Sequence, residues 1–282
     1  GRTFVHEEPI DDKSLYVMDY ERATEVIKTA SHIGVGTCYC RHKKEHVGEA
    51  CDAPMEICMT FNNTADSLIR HGYAKRIDVE ECLELLDVAK EHNLVQFGEN
   101  VQNNVAFICN CCSCCCEALV GVRKTGFSQS IRSNFIASVI EESCVGCGKC
   151  IVVCPTEALS LVSKHDIKRN KKIAVITPEN CIGCGVCVNV CKPNSIEMNA
   201  RDERILTPVD ITHRVVIEAI EKGKLHNLIY DNQAHFNHRV LAAILGVILK
   251  LPPVKQIMAS EQMKSKYLVR LIEKRNEKNQ KK

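Results

Sequence analysis

The sequence has no long apolar segment, no strong charge bias and no apolar leader. Its longest apolar run, VLAAILGVIL from Val240 to Leu249, covers ten residues, whereas a membrane-spanning helix needs roughly 20. The formal net charge is +2, which favours neither nucleic acid nor membrane as a partner of the whole molecule. The N-terminal stretch GRTFVHEEPIDDKS is polar and acidic, without the apolar core of a signal peptide. We therefore expect a cytoplasmic protein.

The motifs of nucleotide cofactors and of acid–base catalysis are also missing. The sequence contains no Gly-rich phosphate loop and no dinucleotide-binding fingerprint, so nothing in it indicates flavin or nicotinamide. None of the 35 acidic residues or the 11 histidines stands out as a general acid or base. Any catalytic residue therefore stays unknown from the sequence.

Cysteine is present in excess, with 19 among 282 residues. A secreted disulfide-rich protein would usually be much shorter, and its cysteines would be spread rather than bunched. The stretch ICNCCSCCC, from Ile108 to Cys116, has six cysteines within eight positions. One or two cysteines would fill a core equally well, so thiols in this number indicate metal binding.

The second half of the chain contains an internal duplication. ESCVGCGKCIVVCPTEAL (Glu142 to Leu159) and ENCIGCGVCVNVCKPNSI (Glu179 to Ile196) each carry CxxCxxCxxxC, offset by 37 residues. Tight CxxCxxC turns place three thiolates around one iron–sulfur cube, and the fourth cysteine of each run serves the other cube. Two zinc sites would instead need CxxC pairs separated by a loop.

This segment, roughly residues 138–200, resembles a bacterial-type ferredoxin domain with two [4Fe-4S] clusters. The resemblance implies one cluster bound by Cys144, Cys147, Cys150 and Cys191, and a second bound by Cys181, Cys184, Cys187 and Cys154. One departure is Lys192, which separates the last cysteine of the second repeat from its proline. This insertion loosens the turn but removes no ligand.

The connection between the two repeats is longer than in the smallest ferredoxins. It covers 26 residues and includes the stretch SKHDIKRNKK, Ser163 to Lys172, with five Lys or Arg against one Asp. This basic stretch is either a solvated hairpin or a docking patch for an acidic redox partner.

Residues 1–130 are predicted to form a small α/β domain. We expect helices at YERATEVIKTA, capped by Asp19, and at TADSLIRHG, DVEECLELLDVAKEHN and CCEALVGVRKTG. Asp78 and Glu81 have the spacing of a capping box. Strands are expected at HIGVGTCYCR, NLVQF and NNVAFIC. Cys82 lies alone on the apolar face of its helix and is expected to be a core residue.

Two groups of cysteines in this domain are candidate metal ligands. They are Cys38, Cys40, Cys51 and Cys58, and then Cys109, Cys111, Cys112, Cys114, Cys115 and Cys116. Cysteines two apart on an extended chain share a face, so the two thiols of CYC, and those of the first CNC, can chelate one centre. We expect at least one further [4Fe-4S] cluster here and favour two, with ligands crossing between the groups. Structural zinc, disulfides and bare thiols are the alternatives.

The whole arrangement resembles a group of 4Fe-4S binding proteins of anaerobes. The shared pattern is GTCYCR…C…P…C, then CNCCSCCC, then a two-cluster ferredoxin domain. The resemblance implies a type of cofactor rather than a reaction. Arg41, Arg123 and Lys124 lie close to these cysteines along the chain and are expected to offset the negative charge of a reduced cluster.

The helices at TADSLIRHG and DVEECLELLDVAKEHN also resemble a helix-turn-helix pair. The second of them is rich in Glu and Asp and would repel phosphate, so we expect no nucleic-acid partner.

After Arg204 the cysteines stop and the pattern becomes helical. DITHRVVIEAIEKG has a capping Asp210 and ends at Gly223, and NHRVLAAILGVILK and VKQIMASEQMKSKYLVRLIEKR follow. From Glu261 to Lys282 there are eight Lys or Arg against three Glu. We expect this extension to pack on the protein or on a partner subunit; an amphipathic membrane-surface anchor is the alternative.

The expected fold class is α+β in three parts. These are an N-terminal Cys-rich α/β domain at 1–130, a ferredoxin-like dicluster domain at 138–200 and a helical C-terminal extension at 205–282. The expected function is that of a multi-cluster iron–sulfur electron-transfer protein that exchanges electrons with a partner oxidoreductase. An iron–sulfur reductase with its active site at the N-terminal Cys-rich cluster is the alternative, and a redox or iron–sulfur sensor is the second.

Overall fold

The computed structural model describes residues 1–7, 18–126, 131–163, 172–229 and 235–248. The chain divides into two compact units, Gly1–Thr207 and Pro208–Lys282. Most of the basic stretch between the two repeats, and the C-terminal segment from residue 249 onward, lie outside the described residues. The expectations for a docking patch and for a membrane-surface helix therefore stay predictions.

A six-stranded sheet forms the first part of unit one. Its strands are β1 (Arg2–Thr3), β2 (Ile33–Thr37), β3 (Glu56–Phe61), β4 (Lys75–Arg76), β5 (Val95–Gly98) and β6 (Phe107–Cys111). Their order across the sheet is β1-β5-β6-β3-β2-β4, and every pairing is antiparallel. The sheet therefore lacks the parallel pairs of a βαβ fold.

Among the residues described here, five α-helices accompany this sheet: α1 (Ala23–Thr29), α2 (Tyr39–Glu45), α3 (Asn62–Arg70), α4 (Val79–Glu91) and α5 (Glu117–Thr125). Helix α4 buries Cys82 and Leu86 in the core that also contains Phe61 from the sheet. The side chain of Cys82 is fully buried, which confirms its assignment to the core. Gly126 follows α5 with a φ of 69°, so α5 ends at a left-handed residue, as expected from the glycine.

Two local expectations for the N-terminal half were wrong. Asp19 does not cap α1, because a 3-10 turn over Asp19–Glu21 precedes the helix and Arg22 occupies its N-cap. The strand expected to run through CYCR ends at Thr37, and Cys40 lies in the first turn of α2. The pairing of β2 with β3 shifts register between Gly36 and Thr37, so the extended chain ends there.

Half of the capping box expected at α4 is present. Asp78 Oδ1 accepts a hydrogen bond from the backbone N–H of Glu81 at 2.8 Å. The carboxylate of Glu81 does not return to the cap and instead pairs with Lys75 Nζ at 2.8 Å. The helix therefore starts where the sequence predicts, through one hydrogen bond rather than two.

The two repeats form the second part of unit one. Strand β7 (Phe135–Val139) pairs with β10 (Ile196–Ala200), and β8 (Leu159–Ser163) pairs with β9 (Lys172–Ile176), both antiparallel. Each repeat also contains a short helix, α6 (Lys149–Val153) in the first and α7 (Val186–Asn189) in the second. The separation of unit one into domains at residue 130 stays a prediction.

The N-terminal segment links the sheet to the repeats. The Thr3 backbone N–H donates to the carbonyl of Ile131 at 2.8 Å, and that of His6 donates to the carbonyl of Cys184 at 3.0 Å. The His6 ring is buried and lies 3.1 Å from the Leu94 carbonyl through Nε2 and 2.8 Å from Asn189 Nδ2 through Nδ1. These contacts hold the second repeat against β5.

Unit two contains the helices α8 (Ile211–Glu221), α9 (Leu225–Ile229) and α10 (Phe236–Ile248). Asp210 caps α8 by accepting a hydrogen bond from the His213 N–H at 2.8 Å, and Gly223 follows the helix with a φ of 64°. Both ends of this helix are as expected. Among the described residues, none of the helices combines the length and the apolar character that crossing a bilayer requires.

Candidate metal centres

The first candidate centre, site I, lies between α6 and the end of the second repeat. A cavity of about 20 Å³ is lined there by four thiols, three from the first repeat and one from the second. They are Cys144, Cys147, Cys150 and Cys191. The structure thus brings together the first set of four that the ferredoxin resemblance implies.

The second candidate centre, site II, has the reciprocal composition. A separate cavity of about 20 Å³ is lined by three thiols of the second repeat and one of the first. They are Cys154, Cys181, Cys184 and Cys187. Each repeat therefore places its fourth cysteine at the other repeat's cavity, which is the exchange expected from the spacing.

Glycines at matching positions allow each three-cysteine turn to lie close to the neighbouring backbone. Gly146 and Gly183 have φ values of 65° and 70°, a region that residues with a side chain rarely adopt. A Cβ at Gly183 would collide with the Phe135 carbonyl, and a Cβ at Gly146 with that of Lys172. The turns therefore depend on glycine in both repeats.

Backbone N–H groups point at sulfur atoms in both sites. Ala158 N lies 3.2 Å from Cys154 Sγ, Ser195 N lies 3.3 Å from Cys191 Sγ, and Ala174 N lies 3.5 Å from Cys144 Sγ. Such hydrogen bonds favour a negatively charged thiolate over a neutral thiol.

Burial instead favours the neutral thiol over the thiolate, as two cysteines of site II show. It raises the pKa of the Cys184 thiol to about 12 and also raises the pKa of Cys187. A thiol must lose its proton to bind a metal, so in a loaded site the metal charge takes the place of the buried protons. Four thiols, amide donors and apolar walls that include Leu159 and Ile176 around site II fit an iron–sulfur cluster.

The N-terminal cysteines form two further groups, of which the larger is named here the six-thiol group. Its members line a cavity of about 180 Å³ together with Phe97, Phe107 and Tyr39. They are Cys38, Cys40, Cys58, Cys109, Cys111 and Cys116; Cys112 and Cys115, which belong to the second group, line the same cavity. The cavity is wider than sites I and II, so it has room for a group of at least cubane size.

Neighbouring thiols lower the pKa of two members of the six-thiol group. The thiols of Cys111 and Cys58 bring the pKa of Cys109 to about 5. The thiol of Cys111 and the N–H groups of Leu119 and Ala118 outweigh burial and bring the pKa of Cys116 to about 6. Cys109 and Cys116 therefore lose their protons more readily than an ordinary thiol, and the thiolate is the form that binds metal.

The remaining N-terminal cysteines form the four-thiol group: Cys51, Cys112, Cys114 and Cys115. Cys51 Sγ lies 3.6 Å from Cys112 Sγ and 3.9 Å from Cys115 Sγ, and Cys114 Sγ lies 3.7 Å from Cys115 Sγ. Burial raises the pKa of Cys51, but the Ala53 N–H and the neighbouring thiols outweigh it and bring the value to about 7.

Arg41 lies between the six-thiol and four-thiol groups and is fully buried. Its guanidinium donates to the carbonyls of Pro54 and Asn110, the latter at 3.2 Å, while its Nε is buried without a hydrogen-bond partner. Burial lowers its pKa, but the negative charges of Cys38 and Cys112 outweigh burial, so the net shift is upward. Arg41 therefore supplies a buried positive charge beside both groups, as the sequence suggested.

Arg123 and Lys124 occupy more peripheral positions. Arg123 Nη2 donates to the Ser113 carbonyl at 2.7 Å, and its Nη1 pairs with Glu157 of the first repeat at 3.3 Å. Lys124 is exposed on α5. Arg123 thus holds the cysteine-rich turn in place, and Arg41 is the one of these three basic residues that lines the six-thiol cavity.

The structure groups the N-terminal cysteines differently from their order in the chain. Cys51 leaves the set of four expected with Cys38, Cys40 and Cys58 and joins cysteines of the CNCCSCCC stretch instead. The pairing of β3 with β6, which sets Met59 opposite Ile108, brings Cys58 beside Cys109. Strand β3 was not among the expected strands, so its pairing with β6, and with it the contact between Cys58 and Cys109, was not predicted.

The six-thiol group and site II share one apolar core. Cys111 and Cys116 pack there with Cys184 of site II, around Val95, Leu119, Val122, Ile131, Ile182 and Val186. Three of the four candidate centres are therefore connected in space: site I and site II through their exchanged cysteines, and site II and the six-thiol group through this core.

Residues 143–195 match the family model of the 4Fe-4S dicluster domain. The matched segment contains all eight cysteines of sites I and II. No curated protein matches the chain. In this segment the chain is thus similar to 4Fe-4S dicluster domains, a similarity that suggests iron–sulfur electron transfer.

Proposed function

We propose that this protein relays electrons between bound iron–sulfur clusters and a partner oxidoreductase. The observation that carries the proposal is the pair of four-cysteine cavities with exchanged ligands in the segment similar to dicluster domains. Iron–sulfur clusters supply reversible one-electron transfer over a wide range of potentials. Such transfer needs no general acid or base, in keeping with a sequence in which none stands out.

The roles proposed for the protein's own residues are to hold, shield and polarise the clusters. The eight cysteines of sites I and II are the proposed ligands. The amides of Ala158, Ala174 and Ser195 donate to ligand sulfur atoms and reduce the negative charge that builds up on reduction. Apolar side chains around both cavities limit the access of water.

We further propose that the six-thiol group holds one additional [4Fe-4S] cluster. Its cavity has the room, neighbouring groups lower the pKa of two of its thiols, and Arg41 supplies a compensating charge. Its core is continuous with that of site II. The proposed electron path therefore runs from site I through site II to the six-thiol group, or in reverse.

The test is the metal content and redox behaviour of the full chain, purified without oxygen. Three clusters correspond to about twelve irons with matching sulfide, and to about one electron per cluster in a reductive titration. EPR of the reduced protein should show interacting centres. Fewer than two [4Fe-4S] centres would contradict the proposal, and so would clusters that cannot pass electrons to a one-electron acceptor.

Two matched ligand variants, one in site I and one in site II, test which of these sites is next to the third centre on the proposed electron path. Cys147→Ser in site I and Cys184→Ser in site II should each remove one centre and perturb its neighbour. Only Cys184 also packs in the core shared with the six-thiol group. Cys184→Ser should therefore change the EPR signal of the third centre, and Cys147→Ser should leave that signal in place.

A reductase is the second candidate function, because the six-thiol cavity is much larger than sites I and II. Eight thiols line it where a cubane needs four, and the exposed Tyr39 lies beside it. Brief treatment of the loaded protein with iodoacetamide, followed by mass mapping, distinguishes the two functions. Rapid labelling of a six-thiol cysteine means that a substrate-sized molecule enters the cavity; protection of all six favours the relay.

A further inference from the structure

We propose that the four-thiol group binds a single zinc ion next to the six-thiol cavity, which Cys112 and Cys115 also line. The site would be formed by Cys51, from the loop after α2, and by Cys112, Cys114 and Cys115, from the turn between β6 and α5. This proposal goes beyond the electron relay, because zinc takes no part in electron transfer.

The sulfur–sulfur distances carry the proposal. A zinc ion bound by four thiolates at about 2.3 Å holds its sulfur atoms about 3.8 Å apart in a tetrahedron. Three of the sulfur–sulfur pairs in the four-thiol group are separated by 3.6, 3.7 and 3.9 Å. All four sulfur atoms lie within 4.8 Å of one another, so they converge on a point that one ion can occupy.

Sites I and II provide an internal comparison. Around a cubane each thiolate binds a different iron, so the ligand sulfur atoms must lie further apart than around one ion. Within the described ranges, the four-thiol group alone has three or more ligand atoms so close together; no three thiols of site I, site II or the six-thiol group do. The sulfur atoms of the four-thiol group are therefore more closely spaced than those of the other three groups.

The backbone around the four-thiol group is held in place by several contacts. The Cys116 N–H donates to the Cys112 carbonyl at 3.2 Å and closes the turn that carries three of the thiols. Arg123 fixes the same turn through the Ser113 carbonyl. Arg41, buried beside the group, offsets part of the net negative charge of a zinc ion with four thiolates.

Zinc is preferred over iron for a chemical reason. Four thiolates that converge on one point leave no open coordination position, which is typical of structural rather than catalytic zinc. Among divalent ions, zinc binds such a site more tightly than Fe²⁺ does. The ion would join the loop after α2 to the β6–α5 turn, and so fix the cysteines of the six-thiol group on either side.

The test is the zinc content of the full chain, purified anaerobically, with iron and sulfide measured on the same samples. The wild type should contain about one zinc per chain, with about four sulfur neighbours at 2.3 Å by X-ray absorption at the zinc edge. Cys51→Ser should lower zinc at least tenfold and leave the sulfide content unchanged. Cys147→Ser, the matched control in site I, should lower iron and sulfide and leave zinc unchanged.

Cys114→Ser is a second variant that keeps the proposal testable if Cys51→Ser fails to fold, because Cys114 is exposed. It should release zinc to a chromogenic chelator at least ten times faster than the wild type. Equal zinc content and release in the wild type and both variants would overturn the proposal. One mononuclear iron lost with Cys51 would overturn the choice of metal. The iron and sulfide values report on the relay, so the two proposals can fail separately.

Discussion

At the scale of single residues, Gly183 shows how closely the chain approaches site II. It combines a φ of 70° with a neighbouring Phe135 carbonyl where a Cβ would lie. Gly183→Ala should therefore displace the turn that carries Cys181, Cys184 and Cys187. We expect the loss of one cluster, measured as about four fewer irons per chain and one fewer EPR signal.

The matched control is Gly121→Ala. Gly121 lies inside α5, and nothing lies within 4 Å of an added Cβ there. This change should leave the iron content intact and stabilise the protein by about 0.5–1 kcal/mol, since alanine favours a helix over glycine. An iron content in Gly183→Ala as high as in Gly121→Ala would show that the turn does not depend on glycine.

Cys82 makes the stability of the protein depend on pH above 9. Burial raises its pKa from the ordinary 9.0 to about 12, so between these values the unfolded chain has lost the proton that the folded chain retains. Stability therefore falls as pH rises through this range. Between pH 8 and pH 10 the wild type should lose about 1.4 kcal/mol more than Cys82→Ala, measured by anaerobic urea unfolding. If the wild type and Cys82→Ala lost the same free energy of unfolding between pH 8 and pH 10, the raised pKa of Cys82 would be contradicted.

At the scale of elements, the helix ends were the features best predicted from the sequence. Asp78, Asp210, Gly126 and Gly223 each mark an end of a helix in the structure. Capping depends on a few neighbouring residues, so a local pattern suffices to predict it. Asp19 is the exception, because the 3-10 turn that follows it moves the cap to Arg22.

Asp78 should contribute measurably to the stability of α4. Asp78→Ala removes the acceptor of the Glu81 N–H at the first turn and should lower the free energy of unfolding by about 1 kcal/mol. Asp87→Ala is the control, because Asp87 lies on the same helix and makes only an exposed pair with Lys90. The control should cost less than about 0.5 kcal/mol in the same urea titration.

The grouping of the N-terminal cysteines could not be predicted from local patterns. The duplicated spacing predicts sites I and II because each turn fixes three of four thiols within seven positions. The six-thiol group instead combines α2, β3, β6 and the start of α5, and its composition depends on which strands pair. Cys40 is an example. It was expected on a strand but lies in helix α2, and side chains repeat with a different period on a helix, so its thiol lies on a different face from the one expected.

At the scale of the whole molecule, unit one should unfold as a single body. Leu119 is fully buried in the core that joins the six-thiol group to site II. Leu119→Ala should lower the free energy of unfolding by about 2–5 kcal/mol. The loss of cluster absorbance and the loss of sheet signal in circular dichroism should shift together to lower temperature.

The control for this prediction is Val175→Ala, on β9, where the side chain is partly exposed. It should shift the same transitions by less than half as much. If Leu119→Ala lowered the transition of the sheet and left that of the cluster absorbance unchanged, the sheet and the repeats would be separate folding domains, with a boundary near residue 130.

The buried guanidinium of Arg41 has a consequence for how the protein matures. It stays charged at any physiological pH, and the groups that balance it are thiolates rather than carboxylates. A chain whose thiols still carried their protons would bury an uncompensated positive charge, at a cost of several kcal/mol. Without metal, this charge is offset only by those thiols that ionise on their own, so closing the N-terminal half costs more free energy than in the loaded chain. A chain short of iron or zinc should therefore open more often, and be cut by cellular proteases sooner, than the loaded chain.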